Sequence, residues 1–324
     1  MKAVVLERYG EPEDLELRDV PRPEPGPEEV LVRVGAASVN DWDWNLVRGR
    51  PFYIHLFCGL IRPKVRIPGV DVAGEVVAVG SAVTDLAVGE RVFGDLSESG
   101  FGAFAEYVSA PREALSRAPE NLSFEEAAGL PHAAALAQQA LFDVADLQPG
   151  DTLLVNGAGG GVGTLAVQLA KELGVEHVVG VDAAHKHEAM RAAGYDETID
   201  YRERDFTRLG QVYDVVLDTR STRGPRAVAR ALRPGGRYVT VGGDTSAILR
   251  VALLGRFVGQ GKTFRLLALR PNQGLERMRE LCERGVLRVV VDRVFPLDEA
   301  PQALRRFGEA RHTGKAILKP GEAL

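Results

Sequence analysis

The stretch Gly150–Lys171, GDTLLVNGAGGGVGTLAVQLAK, limits the possible folds of this chain more than any other. Thr152–Val155 is a short apolar run bounded by Gly150 and Gly157, the pattern of a strand buried inside a parallel sheet. Gly157, Ala158, Gly159, Gly160, Gly161, Val162 and Gly163 follow. So many glycines let the backbone turn sharply and approach a ligand, because a Cβ obstructs both. Val162, Leu165, Ala166, Leu169 and Ala170 then recur at helical spacing. A helix that opens on a glycine turn directs free N–H groups and a partial positive charge at it. This predicts a pyrophosphate site over residues 157–163.

The next apolar strand, His177–Val181, ends in Asp182, nineteen residues after Gly163. That is where a dinucleotide fold puts the carboxylate that binds the adenosine ribose hydroxyls. A second reading gives Asp182 the lesser task of capping a helix that starts near Ala183.

Length and charge set the wider limits. At 324 residues the chain predicts two domains and a core that needs neither disulfides nor metals. A net charge of −5 offers no basic footprint for nucleic acid. Cys58 and Cys282 are too few and too far apart for a disulfide framework, which fits a reducing cytoplasm. Lys2, Glu7 and Arg8 leave no room for a signal-peptide core, and no apolar run approaches the roughly 20 residues that span a bilayer. The expectation is a soluble cytoplasmic protein with neither nucleic acid nor membrane as partner.

Up to about residue 120 the chain alternates short apolar segments with turn signals such as Pro25-Gly26-Pro27 and Pro68-Gly69, as a small β-barrel or sandwich does. Expected strands are Lys2–Leu6, Val30–Val34, Val72–Val79, Arg91–Phe93 and Phe104–Val108. Ser123-Phe-Glu-Glu126 reads as a capping box, after which strands and helices alternate, predicting a parallel sheet with helices on both faces. The pieces after about residue 287 have no strand–helix–strand partner and return to the first domain. The fold class is therefore α/β, with a β-domain over 1–122 and 287–324 and a doubly wound domain over 123–286.

With these elements in place, the chain resembles the medium-chain dehydrogenase/reductase superfamily, and within it the zinc-free quinone oxidoreductase and zeta-crystallin branch. The resemblance rests on Gly150-Asp151, Leu154, Ala158-Gly159-Gly160-Gly161, Gly163, Gln168 and Lys171, and on Ala36–Asn40, Gly69–Gly74, Phe104–Val108, Leu232–Gly236 and Gly314-Lys315. It implies a GroES-like β-barrel catalytic domain, a Rossmann domain, and a nicotinamide coenzyme in the cleft between them. It also implies a homodimer joined through the edges of the Rossmann sheets.

Zinc-dependent relatives hold their metal with a Cys, a His in a Gly-His-Glu motif, and a third Cys, Asp or Glu. Asn40 and Val70 stand at the first two positions, and neither replaces thiolate or imidazole on zinc. His132, near the third position, stands alone in sequence. No bound zinc is expected.

Without a metal, hydride from NAD(P)H needs an acceptor that is already electron-poor, a quinone or an α,β-unsaturated carbonyl. Donors must then meet the developing oxyanion, and one proton must be delivered. On the family's active-site loop the candidate catalytic residues are Asn40 and Tyr53 as donors and Asp43 as orienting group or proton acceptor. The competing readings are a strand-end Asn, a solvated Asp and a Tyr packed among Trp42 and Trp44 as pocket lining. The apolar run Phe52–Cys58 suggests a flat hydrophobic substrate.

Asp182 favours NADH, since a carboxylate repels a 2′-phosphate. Lys186 and Tyr201 match residues that relatives set against that phosphate, so the coenzyme is NAD(P)H with a lean to NADH. Val241 and Gly242 fall where the family's chain passes the nicotinamide. Asp218-Thr219-Arg220 departs from the usual Asp-x-x-Gly, and Leu136 replaces a common threonine. The alternative function is a zinc-free alcohol dehydrogenase-like homologue that binds the nucleotide with little or no catalysis. A methyltransferase shares the glycine turn and acidic strand end but lacks the preceding β-domain.

Overall fold

The computed structural model describes residues 1–243 and 245–321. The chain divides into two compact units. The first comprises Met1–His132, Pro271–Gly285 and the chain from Val289 onward; the second comprises Ala133–Arg270 and Val286–Arg288. These bounds differ from the expected 1–122 with 287–324 and 123–286, for reasons visible in the packing. The capping-box helix Phe124–Ala128 stays with the first unit, where the Phe124 ring lies under the Arg91 guanidinium at 4.5 Å and Glu125 pairs with Lys319 at 2.7 Å. The helix Leu275–Glu283 is tied to that unit too, by Asn121 Nδ2 donating to the Cys282 carbonyl at 2.9 Å.

The first unit is built around one long strand, Glu29–Ser38. Asp71–Val79 pairs antiparallel along one edge. On the other edge Tyr107–Pro111 takes Glu29 to Arg33, and Lys315–Lys319 takes Ala37 and Ser38. Arg91–Asp95 and Ser116–Arg117 extend one side, and Val291–Pro296 the other, giving seven strands around an apolar interior that includes Val30, Val32, Val72, Val92 and Phe104. The hairpin of Lys2–Val5 and Glu16–Asp19 forms a separate two-stranded sheet.

The strand expected at Phe104–Val108 begins three residues later. The Phe104 backbone is taken by other partners: its N–H donates to Pro68 and its carbonyl accepts from Val4, both at 2.9 Å. The segment after Val39, expected as a loop, folds into the helices Asp41–Arg48 and Tyr53–Cys58.

The second unit carries a six-stranded, wholly parallel sheet. Its order is Glu197–Asp200, His177–Asp182, Thr152–Asn156, Tyr213–Asp218, Leu232–Thr240 and Thr263–Leu266. Counted along the chain this is 3-2-1-4-5-6, the doubly wound dinucleotide order, whose direction reverses between Thr152–Asn156 and Tyr213–Asp218. Leu153–Asn156 and Val178–Asp182 are buried along their whole length, as strands with helices on both faces must be. The helix that starts at Pro225 stops at Val228, ahead of Leu232, which opens the fifth strand. Among the described residues no helix is long and apolar enough to cross a membrane.

Candidate active site

Ligands of doubly wound sheets bind beyond the carboxyl ends of the strands, at the reversal point. The glycine turn lies there. Gly157 has φ +85°, and a Cβ on it would sit 2.0 Å from Thr219 Oγ1, so only glycine fits. Gly163 brings the helix against the turn, since a Cβ there would sit 2.5 Å from the Ala158 carbonyl oxygen. Gly160 caps the thirteen-residue helix Gly161–Leu173 without a side chain of its own. The first-turn amides of Gly161, Val162 and Gly163 have no carbonyl four residues back inside the helix, and Gly161 and Val162 are partly exposed. A closely packed glycine turn with outward amides at the positive end of a long helix fits a dinucleotide diphosphate.

Asp182 ends the second strand as expected, but its carboxylate is occupied. Oδ2 accepts from Gly159 N–H at 3.0 Å and Oδ1 from Ala183 N–H at 2.8 Å. Lys186 Nζ lies 3.3 Å from Oδ1, with both side chains almost entirely out of solvent. The lysine stem runs under the turn, where a Cβ on Gly159 would strike it at 2.6 Å. The negative charge counted against a 2′-phosphate is thus compensated, and Lys186 is buried rather than reaching outward. Tyr201 is exposed, with the Arg202 guanidinium 5.6 Å from its ring centroid.

Across the reversal point Asn156 Nδ2 donates to Asp218 Oδ1 at 2.7 Å, and Tyr238 Oη donates to Asp218 Oδ2 at 2.9 Å. Burial raises the Asp218 pKa above the ordinary carboxylate value despite these donors. The departure from Asp-x-x-Gly is thus an ordered turn. Arg220 N–H returns to Asp218 Oδ1 at 3.0 Å, and the Arg220 stem lies beside Gly157. The Arg220 side chain is exposed and forms no ion pair among the described residues. Val241 and Gly242, both partly exposed, leave the end of the fifth strand. The Val241 N–H donates to the Asp218 carbonyl at 3.1 Å. Leu136 is buried.

The first unit holds a second polar constellation. Asp43 is wholly buried at the third position of the helix Asp41–Arg48. It accepts from the backbone N–H groups of Asn40 at 2.9 Å and Gly69 at 2.8 Å, and burial pushes its pKa up to about 7. Asn40 is also buried. Its Nδ2 donates to Asp71 Oδ2 at 3.0 Å and to the Ser38 carbonyl at 3.3 Å, while its Oδ1 accepts from Lys315 Nζ at 2.6 Å. Its amide is therefore spent on protein partners. Lys315 Nζ also lies 3.3 Å from Asp71 Oδ2, and Ser38 Oγ donates to the same oxygen at 2.7 Å. Val70 is buried in the apolar core.

His132, expected to stand alone, lies between two carboxylates. Its Nδ1 is 2.7 Å from Asp95 Oδ2 and its Nε2 is 3.3 Å from Asp41 Oδ1. Burial opposes its protonation, but Asp95 and Asp41 together raise its pKa well above the ordinary imidazole value. Asp95 is buried, whereas the Asp41 side chain is 49% exposed, so Asp41 is the solvent-facing member of the triad. Tyr53 is 39% exposed, and partial burial together with the Asp41 charge raises its pKa. Asp41 and Asp95 were not legible as site residues, because no spacing rule connects positions 41, 95 and 132. Asp71 and Lys315 were not named as site residues either, although both stood inside family motifs, the one signal that pointed to them.

A family described as "Alcohol dehydrogenase GroES-like domain" matches residues 26–120, and one described as "Zinc-binding dehydrogenase" matches residues 193–318. The chain is 32% identical to a chloroplastic quinone oxidoreductase of Triphysaria versicolor, over 99% of this chain and 98% of the relative. It is 33% identical to a chloroplastic NADPH-dependent alkenal/one oxidoreductase of Arabidopsis thaliana, over 99% of this chain and 80% of the relative. The solved quinone oxidoreductase of Coxiella burnetii superposes with a TM-score of 0.88 at 30% identity, covering 98% of this chain and 99% of that one. Whole-length relatives, matched domains and a shared fold agree, and the chain belongs to the medium-chain dehydrogenase/reductase superfamily, in its quinone oxidoreductase branch.

Proposed function

We propose that the protein is a zinc-independent oxidoreductase that transfers hydride from NAD(P)H to a quinone or an α,β-unsaturated carbonyl. The observation that carries this reading is the glycine turn, with unspent helix-start amides at the reversal point of the six-stranded sheet. When bound there, reduced nicotinamide supplies the hydride. Residues 157–163 hold the diphosphate, Arg220 adds a cation beside it, and Val241 and Gly242 flank the nicotinamide arm. The quinone and alkenal/one activities named for the relatives support the acceptor class.

In the first unit, His132 keeps its proton between Asp95 and Asp41 and so fixes the Asp41 carboxylate near the Tyr53 hydroxyl, while the proton that the reduced product takes up comes from solvent. Tyr53 is the hydrogen-bond donor to the developing oxyanion. Asn40 and Asp43 act as positioning residues: Asp43 clamps the Asn40 and Gly69 amides, and Asn40 holds Lys315 against Asp71. Zinc independence is supported by this chemistry, since a spent amide, Asn40, and a buried valine, Val70, stand at two of the positions where relatives carry metal ligands.

Coenzyme choice is weakly enforced. With Lys186 compensating Asp182, we place the discrimination between NADH and NADPH below about tenfold. The assembly is a homodimer through Thr263–Leu266, the open edge of the six-stranded sheet. The exposed Leu249, Leu253, Leu254, Phe257 and Leu266 of the same unit support it.

The test is oxidation of NADH and NADPH by the purified protein over benzoquinones, naphthoquinones, enones and simple alcohols, alongside calorimetric coenzyme titration. Turnover of quinones or enones is expected. Tight coenzyme binding with no turnover on any acceptor would favour the nucleotide-binding homologue instead.

A further inference from the structure

The segment from Trp44 to Val70 contains five cationic residues, Arg48, Arg50, Arg62, Lys64 and Arg66, and not one Asp or Glu, in a chain whose net charge is −5. The same segment exposes five large apolar side chains: Phe52 at 73%, Leu56 at 63%, Phe57 at 74%, Leu60 at 68% and Ile61 at 88%. Monomeric surfaces rarely gather so many at one place without a use for them.

The exposure is built in rather than left over. Ile54 and Cys58, one helical turn apart, are buried and anchor Tyr53–Cys58, which turns Leu56 and Phe57 outward. Past the helix the chain closes on itself, with Lys64 N–H donating to the Cys58 carbonyl at 2.6 Å. Gly59 makes this turn with φ +118°, where a Cβ would meet the Arg62 carbonyl oxygen at 2.2 Å. Tyr9 Oη donates to the Gly59 carbonyl at 2.7 Å, and Leu6 N–H to the Arg66 carbonyl at 2.7 Å. The apolar tips are held out on a fastened loop.

The charges around them are of two kinds. Arg66 is paired with Glu7 and Arg48 with Glu11. Arg50, Arg62 and Lys64 are exposed, and among the described residues their side chains form no ion pair. Unpaired cations therefore flank the exposed apolar tips in sequence on both sides.

We propose that residues 50–64 dock the protein on the surface of an anionic lipid bilayer. Phe52, Leu56, Phe57, Leu60 and Ile61 enter the boundary between headgroups and acyl chains, and Arg50, Arg62 and Lys64 meet the lipid phosphates. Apolar residues inserted beside cations at headgroup level are the arrangement that holds peripheral proteins on membranes. A second copy of the chain is a poorer occupant, because an isologous contact would set these cations against themselves. The sequence predicts no membrane partner, since no segment spans a bilayer. A protein that lies on one needs no such segment. Tyr53 of the same segment belongs to the proposed reductase site, but docking does not rest on that reading, and the test requires no turnover.

The experiment is sedimentation of the intact protein with vesicles of phosphatidylcholine alone, and of phosphatidylcholine with about one-third phosphatidylglycerol. Binding to the anionic vesicles, its release by roughly 0.5 M salt, and slowed hydrogen exchange confined to residues 50–64 are expected. The variants R62E/K64E and F57S/I61S change only exposed side chains, so thermal unfolding should be unaffected. Each should lower vesicle partition by at least about tenfold. Wild-type partition in both variants, or no binding by the wild type, overturns the proposal. So does a variant that alters the oligomeric state in sedimentation velocity and leaves vesicle binding unchanged, because the face is then covered by a second copy.

Discussion

His132 Nδ1 stands 2.7 Å from Asp95 Oδ2, and both groups are shut away from water. A buried imidazolium between carboxylates stabilises the fold only while it is charged. Its folded-state pKa lies above the unfolded value of about 6.5, so its contribution is complete below that value and is lost as pH rises through the higher one. His132→Asn strands Asp95 as a buried charge. It should cost about 3–5 kcal/mol near pH 6, with the gap from wild type narrowing in alkaline solution. Urea titrations at several pH values measure this, and a gap that does not vary with pH would count against the charged histidine.

Asp43 makes the opposite demand. Burial raises its pKa to about 7, far above an unfolded aspartate, so folding favours its neutral form. Its contribution is greatest in acid and declines as pH climbs from about 4 to about 7, by up to about 4 kcal/mol. Asp43→Asn removes this decline and sacrifices one of two backbone acceptors. The difference in stability between wild type and variant should therefore change across that interval. Parallel stability curves would show that the carboxyl does not titrate there.

Lys186→Met leaves the Asp182 charge uncompensated. NADPH affinity should fall by at least about tenfold more than NADH affinity, read as Kd by nicotinamide fluorescence. If both fall equally, the pair braces the turn and has no part in selecting the coenzyme.

Two changes at the glycine turn should separate strain from charge. Gly157→Ala forces a Cβ onto Thr219 in a left-handed conformation, and should cost about 1–3 kcal/mol of stability as well as coenzyme affinity. Arg220→Ala touches only an exposed side chain. Stability should hold while Kd for NAD(P)H rises about threefold to tenfold and becomes less sensitive to salt. Unchanged salt dependence would exclude the arginine from the diphosphate site.

Metal analysis addresses the constellation around Asn40. Protein purified without an affinity tag should carry far less than one zinc per chain, and chelation should leave coenzyme binding and turnover unchanged. Stoichiometric zinc would overturn the zinc-free reading.

Local patterns exposed the second unit almost completely. A strand, a glycine turn and a helix in succession, with an acid ending the next strand, are short-range signals, and the structure places them as the spacing predicts. The first unit was less legible. Phe104 looked like a strand residue by alternation, yet contacts with Val4 and Pro68 decided its place. The helices Asp41–Arg48 and Tyr53–Cys58 were hidden because Trp42, Trp44 and Pro51 carry weak helical signals, while the capping contact between Asn40 and Asp43 is visible only once formed. The partners of His132 were invisible for a simpler reason: they lie 37 and 91 residues away in sequence. Charge compensation at Asp182 could have been suspected from the four-residue spacing to Lys186, but the direction of the lysine depends on how the turn packs over it.

Lys315 reaches Asn40 from the far end of the polypeptide. On a ribosome, Asp71 emerges hundreds of residues before the ammonium that neutralises it, whereas nearly all of the second unit is one unbroken stretch, 133–270. That unit can complete its sheet during synthesis. The half around Asn40 must wait for the last strand, so a messenger truncated just before codon 315 would yield a nucleotide-binding half beside a partner with a buried, uncompensated aspartate at its centre.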